Sequence, residues 1–195
     1  MAISHHLDLY RYWLAKRADR SMPARRDINP GDIPALLPHL MIVDKIYGQV
    51  RWRVVGTAAV REIGRDPTGS IVGESAAAAR AIYERVFTTA HTIFATCEFK
   101  AKSGGIINMS LLTLPLSDDG ANVNMAISTL VSCFNLEGTA STGWLDATAN
   151  TGWLKGLPVK LGDVVNVTGL EELEKLCLDW ERHCGSGNDA AEGAC

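Results

Sequence analysis

The chain has no apolar run approaching the roughly 18 residues that a bilayer-spanning helix needs, so no membrane partner is expected. It has no surplus of basic charge either. Lys and Arg number 19 against 22 Asp and Glu, a formal net charge of −3 with a pI near 5.9, which argues against a nucleic-acid partner. Cysteine is sparse: Cys97, Cys133, Cys177, Cys184 and Cys195 are odd in number and widely spaced. That pattern offers neither a zinc motif nor a disulfide framework, and it reads as a reduced intracellular protein. The opening MAISHHLDLYRYW lacks a basic start followed by an apolar stretch, so no secretory leader is expected and the expected location is the cytoplasm. No Ser/His/Asp set or other acid–base constellation stands out, so no catalytic residue is assigned and an enzyme is not expected.

What is present is enough apolar material for a real core. The 195 residues are 47% hydrophobic and 21% charged, which fits one folded domain. Charge is uneven along it. Residues 1–26 carry Arg11, Lys16, Arg17, Arg20, Arg25 and Arg26 against Asp8 and Asp19. Residues 163–195 carry eight acids against Lys175 and Arg182. Two solvated helical faces, or two ends that attract each other within a chain or across a dimer, both fit.

Periodicity divides the chain. Ser4 to about Asp19 reads as an amphipathic helix with Ile3, Leu7, Tyr10 and Leu14 on one stripe and Trp13 beside it. A turn at Asn29-Pro30-Gly31 leads to a short helical turn that ends by Pro38. Leu40–Ile46 and Val50–Val55 form a hairpin, and Gly56 breaks it. Thr57–Ile63 is a short helix with Gly64 as its C-terminal cap, followed by a long helix from Ser75 to about Ala95. The period then changes to two. A strand opening at Ala95 turns at Ser103-Gly104-Gly105, and strands Ile106–Leu116 and Asn122–Cys133 follow. The last two carry no charge on either face, so both faces are expected to be covered.

Residues 134–167 are less regular. TGWL occurs at Thr142–Leu145 and again at Thr151–Leu154, and LPVKLGDVVNV is locally strand-like. Thr168-Gly169-Leu170-Glu171 reads as a capping box opening a last helix. Its apolar residues Leu170, Leu173, Cys177, Trp180 and Cys184 form a short heptad seam, suited to docking on the body or to pairing in a dimer. The tail is expected to be disordered. The expected organisation is therefore an N-terminal helix and turn at 1–39, a core at 40–133, an extension ending in a helix at 134–184, and a tail at 185–195.

Two strands, a set of helices and three strands is the order of the PAS fold, and the chain resembles small, mostly uncharacterised bacterial PAS-like proteins. The residues that carry the resemblance are Tyr12-Trp13, Pro23, Arg25, Asp27-Ile28, Pro30, Asp32-Ile33, Leu37-Pro38, Arg53-Val54-Val55-Gly56-Thr57, Gly64-Arg65-Asp66 and Thr68-Gly69. They span roughly residues 10–133. The resemblance implies an α+β fold: a five-stranded antiparallel sheet in the order 2-1-5-4-3, helices on one face enclosing a cavity, and flanking terminal helices. It implies a sensory module in signal transduction that binds a small ligand, a protein partner, or both. It also implies a homodimer with contacts through the sheet and the N-terminal helix, that helix covering the sheet of its own chain or of the partner, with Leu7, Tyr10 and Leu14 as the interface residues. No attached output segment is read, so a signalling protein partner is expected. A ligand-free interaction scaffold with a filled core is the alternative, and a small enzyme a third.

The expected pocket residues are Arg53, Asp66, Tyr83, Phe87, His91, Met109, Met125 and Ile127. Arg53 and Asp66 flank the crossing from strand to helix, where they can grip an anionic group or simply pin the segment. Met109, Met125 and Ile127 follow from the rule that the more apolar strand face points inward. His91 matches the helix from which haem-binding PAS domains draw their iron ligand. Supporting features are missing, and the Asn-Cys-Arg-Phe motif of flavin photosensors is absent, so neither haem nor flavin is expected and the cofactor stays unassigned. Cys97 reads as a core residue. His5, His6 and Asp8 are close enough to share an ion, but a solvated helix start is preferred and no metal site is assigned.

Overall fold

The computed structural model describes residues 4–73, 76–100, 106–135 and 159–185. Helix α1 (Ser4–Arg17) leads through three single-turn 3-10 helices to strands β1 (Leu40–Ile46) and β2 (Gln49–Val55). Helices α2 (Thr57–Ile63) and α3 (Ala77–Thr89) follow, then β3 (Thr92–Lys100), β4 (Ile106–Leu116), β5 (Met125–Asn135), β6 (Val159–Val167) and α4 (Leu170–Gly185). The strands form one antiparallel sheet in the order β2-β1-β5-β4-β3-β6. The expected five strands in the order 2-1-5-4-3 are therefore present, and a sixth extends them. Val159–Val167, read only as locally strand-like, pairs with β3 and caps that edge of the sheet. The two TGWL segments, the Ser103–Gly105 turn and the tail after residue 185 lie outside the described residues.

Both faces of the sheet are covered, as the uncharged strands β4 and β5 require. On one face α1, α4 and the 3-10 segments bury Leu40, Ile42, Phe94, Leu112, Leu114, Leu116, Met125 and Ile127. On the other, α2 and α3 bury Met41, Val43, Val50, Trp52, Ile93, Ala95, Leu111 and Ala126. The cover of the first face thus comes from the same chain, which removes the bare apolar sheet that motivated a sheet-mediated dimer.

Helix α1 turns a different stripe inward from the one its apolar spacing suggests. His6, Leu9, Tyr10 and Trp13 are buried, whereas Leu7 and Leu14 only pack at the margin. Hydrogen bonds decide the rotation. Trp13 donates its indole N–H to the Pro115 carbonyl at 2.8 Å, and His6 meets two strand hydroxyls. The long helix is shorter than its alanine-rich pattern suggests. It ends at Thr89, where Ala90 adopts the left-handed conformation with φ 57°, and Phe94 belongs to β3 instead.

Helix α4 docks on the body through Leu173, Cys177 and Trp180, all buried in the first core. It starts at Leu170, so Glu172 rather than Glu171 takes the capping position and accepts the Thr168 N–H and hydroxyl at 2.7 Å each. Arg11 of α1 reaches Glu174 of α4 at 2.9 Å, so the oppositely charged ends do meet within one chain. The pair is about half exposed and adds little stability. A disulfide joins Cys133 of β5 to Cys184 of α4, which corrects the expectation of fully reduced cysteines. An odd cysteine count does not forbid one bond, and docking α4 brings together two residues 51 apart in the chain.

Candidate functional site

The segment from Arg51 to Gly69 is held by backbone contacts on both sides. Trp52 N–H donates to the Ser70 carbonyl at 2.9 Å, and Gly69 N–H donates to the Trp52 carbonyl at 2.7 Å. Gly56 has ordinary backbone angles (φ −67°, ψ 154°), so conformational freedom is not why it is glycine. A Cβ there would overlap the carbonyl oxygens of Leu37 and Pro38. Gly64 does need its left-handed φ of 77°, where it ends α2.

The residues expected to line a pocket are not all brought together: Tyr83 and Phe87 share one core, and Met125 and Ile127 the other. Arg53 is exposed and donates from Nη1 to Asp44 Oδ2 at 2.9 Å. Arg51 grips the same carboxylate in a fork, at 3.0 and 2.6 Å. These hydrogen bonds, Arg51 first, hold the Asp44 carboxyl below its ordinary value against the opposing effect of burial. Asp66 stands on an exposed turn, where hydrogen bonds from the Thr68 hydroxyl and then from the Thr68 N–H, the latter at 2.9 Å, keep its carboxyl low. His91 is exposed in the turn between α3 and β3, so it does not fit a buried haem iron. Phe87 packs at the margin of the second core.

Met109, Met125 and Ile127 lie on two faces rather than one. The β4–β5 register pairs Met109 with Ser132 and Leu116 with Met125. Paired residues share a face, so odd positions of β4 go with even positions of β5. Met125 and Ile127 accordingly point under α1, and Met109 joins Cys97, Ile107 and Leu130 on the side of α2 and α3. Tyr10 is buried within its own chain. His5, His6 and Asp8 diverge: His5 stacks on His39 with ring centroids 4.1 Å apart, His6 turns inward, and Asp8 reaches Arg11 at 3.6 Å.

The helical side, where a PAS-like cavity is expected, carries the second core. Tyr83 is fully buried and meets Trp52 edge to face at 5.5 Å. Its hydroxyl is 3.2 Å from Ser128 Oγ, and burial raises the phenol well above its ordinary value. Thr113 stands opposite Ser128 in the strand register, and its buried hydroxyl has no partner among the described residues. Nearby, burial raises the Glu62 carboxyl against a hydrogen bond to Ser132.

The sheet face under α4 is different. A cleft of about 430 Å³ lies there. Phe94, Thr96 and Glu98 of β3, Asn108 of β4, and Gly162 and Asp163 of β6 form its floor. Leu176, Asp179, Trp180 and His183 of α4 form its wall. Gly162 is required at the β3–β6 irregularity, because a Cβ would overlap the Thr96 hydroxyl. That hydroxyl accepts the Asp163 N–H at 2.9 Å. Asn108 is 5% exposed, and its carboxamide has no hydrogen-bond partner among the described residues. It sits between Glu98 and Cys133 in the strand registers, so the disulfide anchors α4 to the strand beside it.

The cleft is mechanically connected to α1. Phe94 of its floor meets the His6 ring edge to face at 5.7 Å. His6 is fully buried, with Nδ1 at 2.7 Å from Thr129 Oγ1 and Nε2 at 2.9 Å from Ser110 Oγ. Burial pushes its pKa down to about 3, with a smaller contribution from His5, so the ring is neutral.

Sequence reasoning passed over Asn108 and Glu98, and it read Trp180 only as part of a docking seam and His6 only as part of a solvated helix start. A signal was there for Asn108. It is the one carboxamide in an uncharged strand whose other polar residues are the small hydroxyls Ser110 and Thr113, a position that burial makes costly unless it has a use.

A family model described as PAS domain matches residues 1–131. No curated protein matches the chain. The matched stretch includes the β3 and β4 side of the cleft, whereas β6 and α4 lie beyond it.

Proposed function

The chain belongs to the PAS domain family, whose members are sensory and regulatory modules, and from that premise we propose that it senses a small molecule in the cleft beneath α4. The observation that carries this reading is Asn108. A carboxamide on a buried residue, without a partner among the described residues and facing a cavity, is a group prepared for a ligand. On the opposite face Trp52, Tyr83 and their neighbours form a second buried core. Binding is proposed to act on regulation, as the family's sensory role suggests.

Output is assigned to protein contacts, either a homodimer or a signalling partner, on the outer surface of the α1–α4 layer. Phe94 and His6 link the cleft to α1, and Leu178 on α4 is 55% exposed. Among the described residues no helix is long and apolar enough to cross a membrane. The setting proposed is the cytoplasm. Thiol buffers there favour dithiols, so Cys133 and Cys184 would join only under oxidation, and on reduction the buried Leu173, Cys177 and Trp180 would still hold α4 on the body.

The buried core under α2 and α3 supports a second reading, a ligand-free scaffold. Native mass spectrometry of the freshly purified full chain separates the two. The sensor reading expects a non-covalent small-molecule adduct that Asn108→Leu loses. A bare mass for the wild-type chain supports the scaffold.

A further inference from the structure

The cleft beneath α4 also carries information about the class of molecule it takes. We propose that its ligand is a small organic cation bearing an ammonium or guanidinium group, a conclusion that rests on reading the cleft as a ligand site. Glu98 and Asn108 stand side by side on adjacent strands of the floor. The first offers a carboxylate and the second an unpartnered carboxamide oxygen, a pair suited to a group with several N–H donors.

Charge around the cleft points the same way. Asp163 lies on the floor and Asp179 on the wall. Asp179 is compensated by Arg182 in an exposed pair, and Lys160 stands across from Glu98 in the strand register. The rest of α4 adds Glu171, Glu172, Glu174 and Glu181 against Lys175, with Glu174 compensated by Arg11 of α1. The field at the cleft is therefore negative. Trp180 and Phe94 bring aromatic surface to the same place, which favours an organic cation over a hydrated metal ion. A volume of about 430 Å³ suits a diamine or an amino-acid-sized molecule.

Isothermal titration calorimetry on the full chain at fixed ionic strength tests this. The probes are 1,4-diaminobutane and agmatine as cations, 1,4-butanediol as the neutral analogue and succinate as the anion. Saturable one-to-one binding of a cation is expected. Glu98→Gln and Asn108→Leu should each weaken it by about tenfold or more. Asp66→Asn, on the remote turn, should leave it unchanged. Glu98→Gln is half-buried and isosteric, so it keeps the test decisive if Asn108→Leu fails to fold. Absence of saturable binding by both cations, or equal affinity in the variants, overturns the cation class. Binding of butanediol or succinate that depends on Asn108 overturns the class while the cleft stands as a ligand site. A native-mass adduct without cation binding has the same meaning, and failure of both experiments removes the ligand site itself.

Discussion

Replacing His6 with glutamine should flatten the acid side of the stability curve. In the native chain the imidazole is fully buried between the Thr129 and Ser110 hydroxyls, and its pKa is about 3 against an ordinary 6.5. The unfolded chain therefore takes up a proton first as pH falls. Stability is unaffected above about pH 6.5, declines below it, and levels off only near the folded value of about 3. At about pH 4.5, two units below the unfolded value, the loss is about 2.7 kcal/mol at 1.36 kcal/mol per unit. His5 and His39, whose pKa values burial also lowers, act in the same direction in both proteins. Glu62, raised by burial, acts in the opposite direction in both. The depressed carboxylates Asp27, Asp32 and Asp44 lose their contribution as pH falls through and below their ordinary 3.8, outside the window. Urea titrations of wild type and His6→Gln between about pH 7 and pH 4.5 give the two slopes. The variant starts less stable by about 1–3 kcal/mol, because one hydroxyl loses its partner. Its further loss on acidification should be smaller by about 2–3 kcal/mol. Equal acid losses in the two proteins would refute a buried neutral His6.

Gly56→Ala should cost about 3 kcal/mol or more, since the added methyl meets the Leu37 and Pro38 backbone, which cannot yield; an unchanged denaturation midpoint would contradict the close approach. Without reductant, three of the five cysteines should react with a thiol reagent in denaturant, and reduction should lower stability by up to about 4 kcal/mol for a loop of 51 residues. Five reactive thiols before reduction would show that Cys133 and Cys184 are not joined. Deleting residues 1–20 should uncover Leu112, Leu114, Leu116 and Ile127 and cause aggregation visible by light scattering. A soluble truncated chain of unchanged assembly mass would mean that α1 is not the cover.

The fold was legible where the signal is local. The β1–β2 hairpin follows from Tyr47-Gly48, which adopt φ values of 49° and 78°, and α2 ends at Gly64 as its left-handed cap requires. Local signals failed at the end of α3. Ala90 and Phe94 continue the helical spacing, yet Thr92, Ile93 and Phe94 find strand partners in β4 and β6. Which residues share a face was not legible, because it depends on a register between strands and not on alternation within one. That is why Met109 parts from Met125 and Ile127. The candidate site was mostly hidden for the same reason. Glu98, Asn108, Asp163 and Trp180 come from four separate elements, and only the pairing of β6 and the docking of α4 assemble them. At Gly56 the residue was readable as essential and the reason was not, since a steric approach from Leu37 and Pro38 leaves no trace in the local pattern.

The central claim is that a small molecule binds beneath α4 and not in the core under α2 and α3. Hydrogen–deuterium exchange of the full chain, with and without the small-molecule filtrate of a cell extract, tests it most directly. The account predicts added protection across Val159–Val167 and Leu170–Gly185, with an accompanying change in α1 through Phe94 and His6. Protection confined to Thr57–Ile63 and Ala77–Thr89, or no change anywhere, would contradict it.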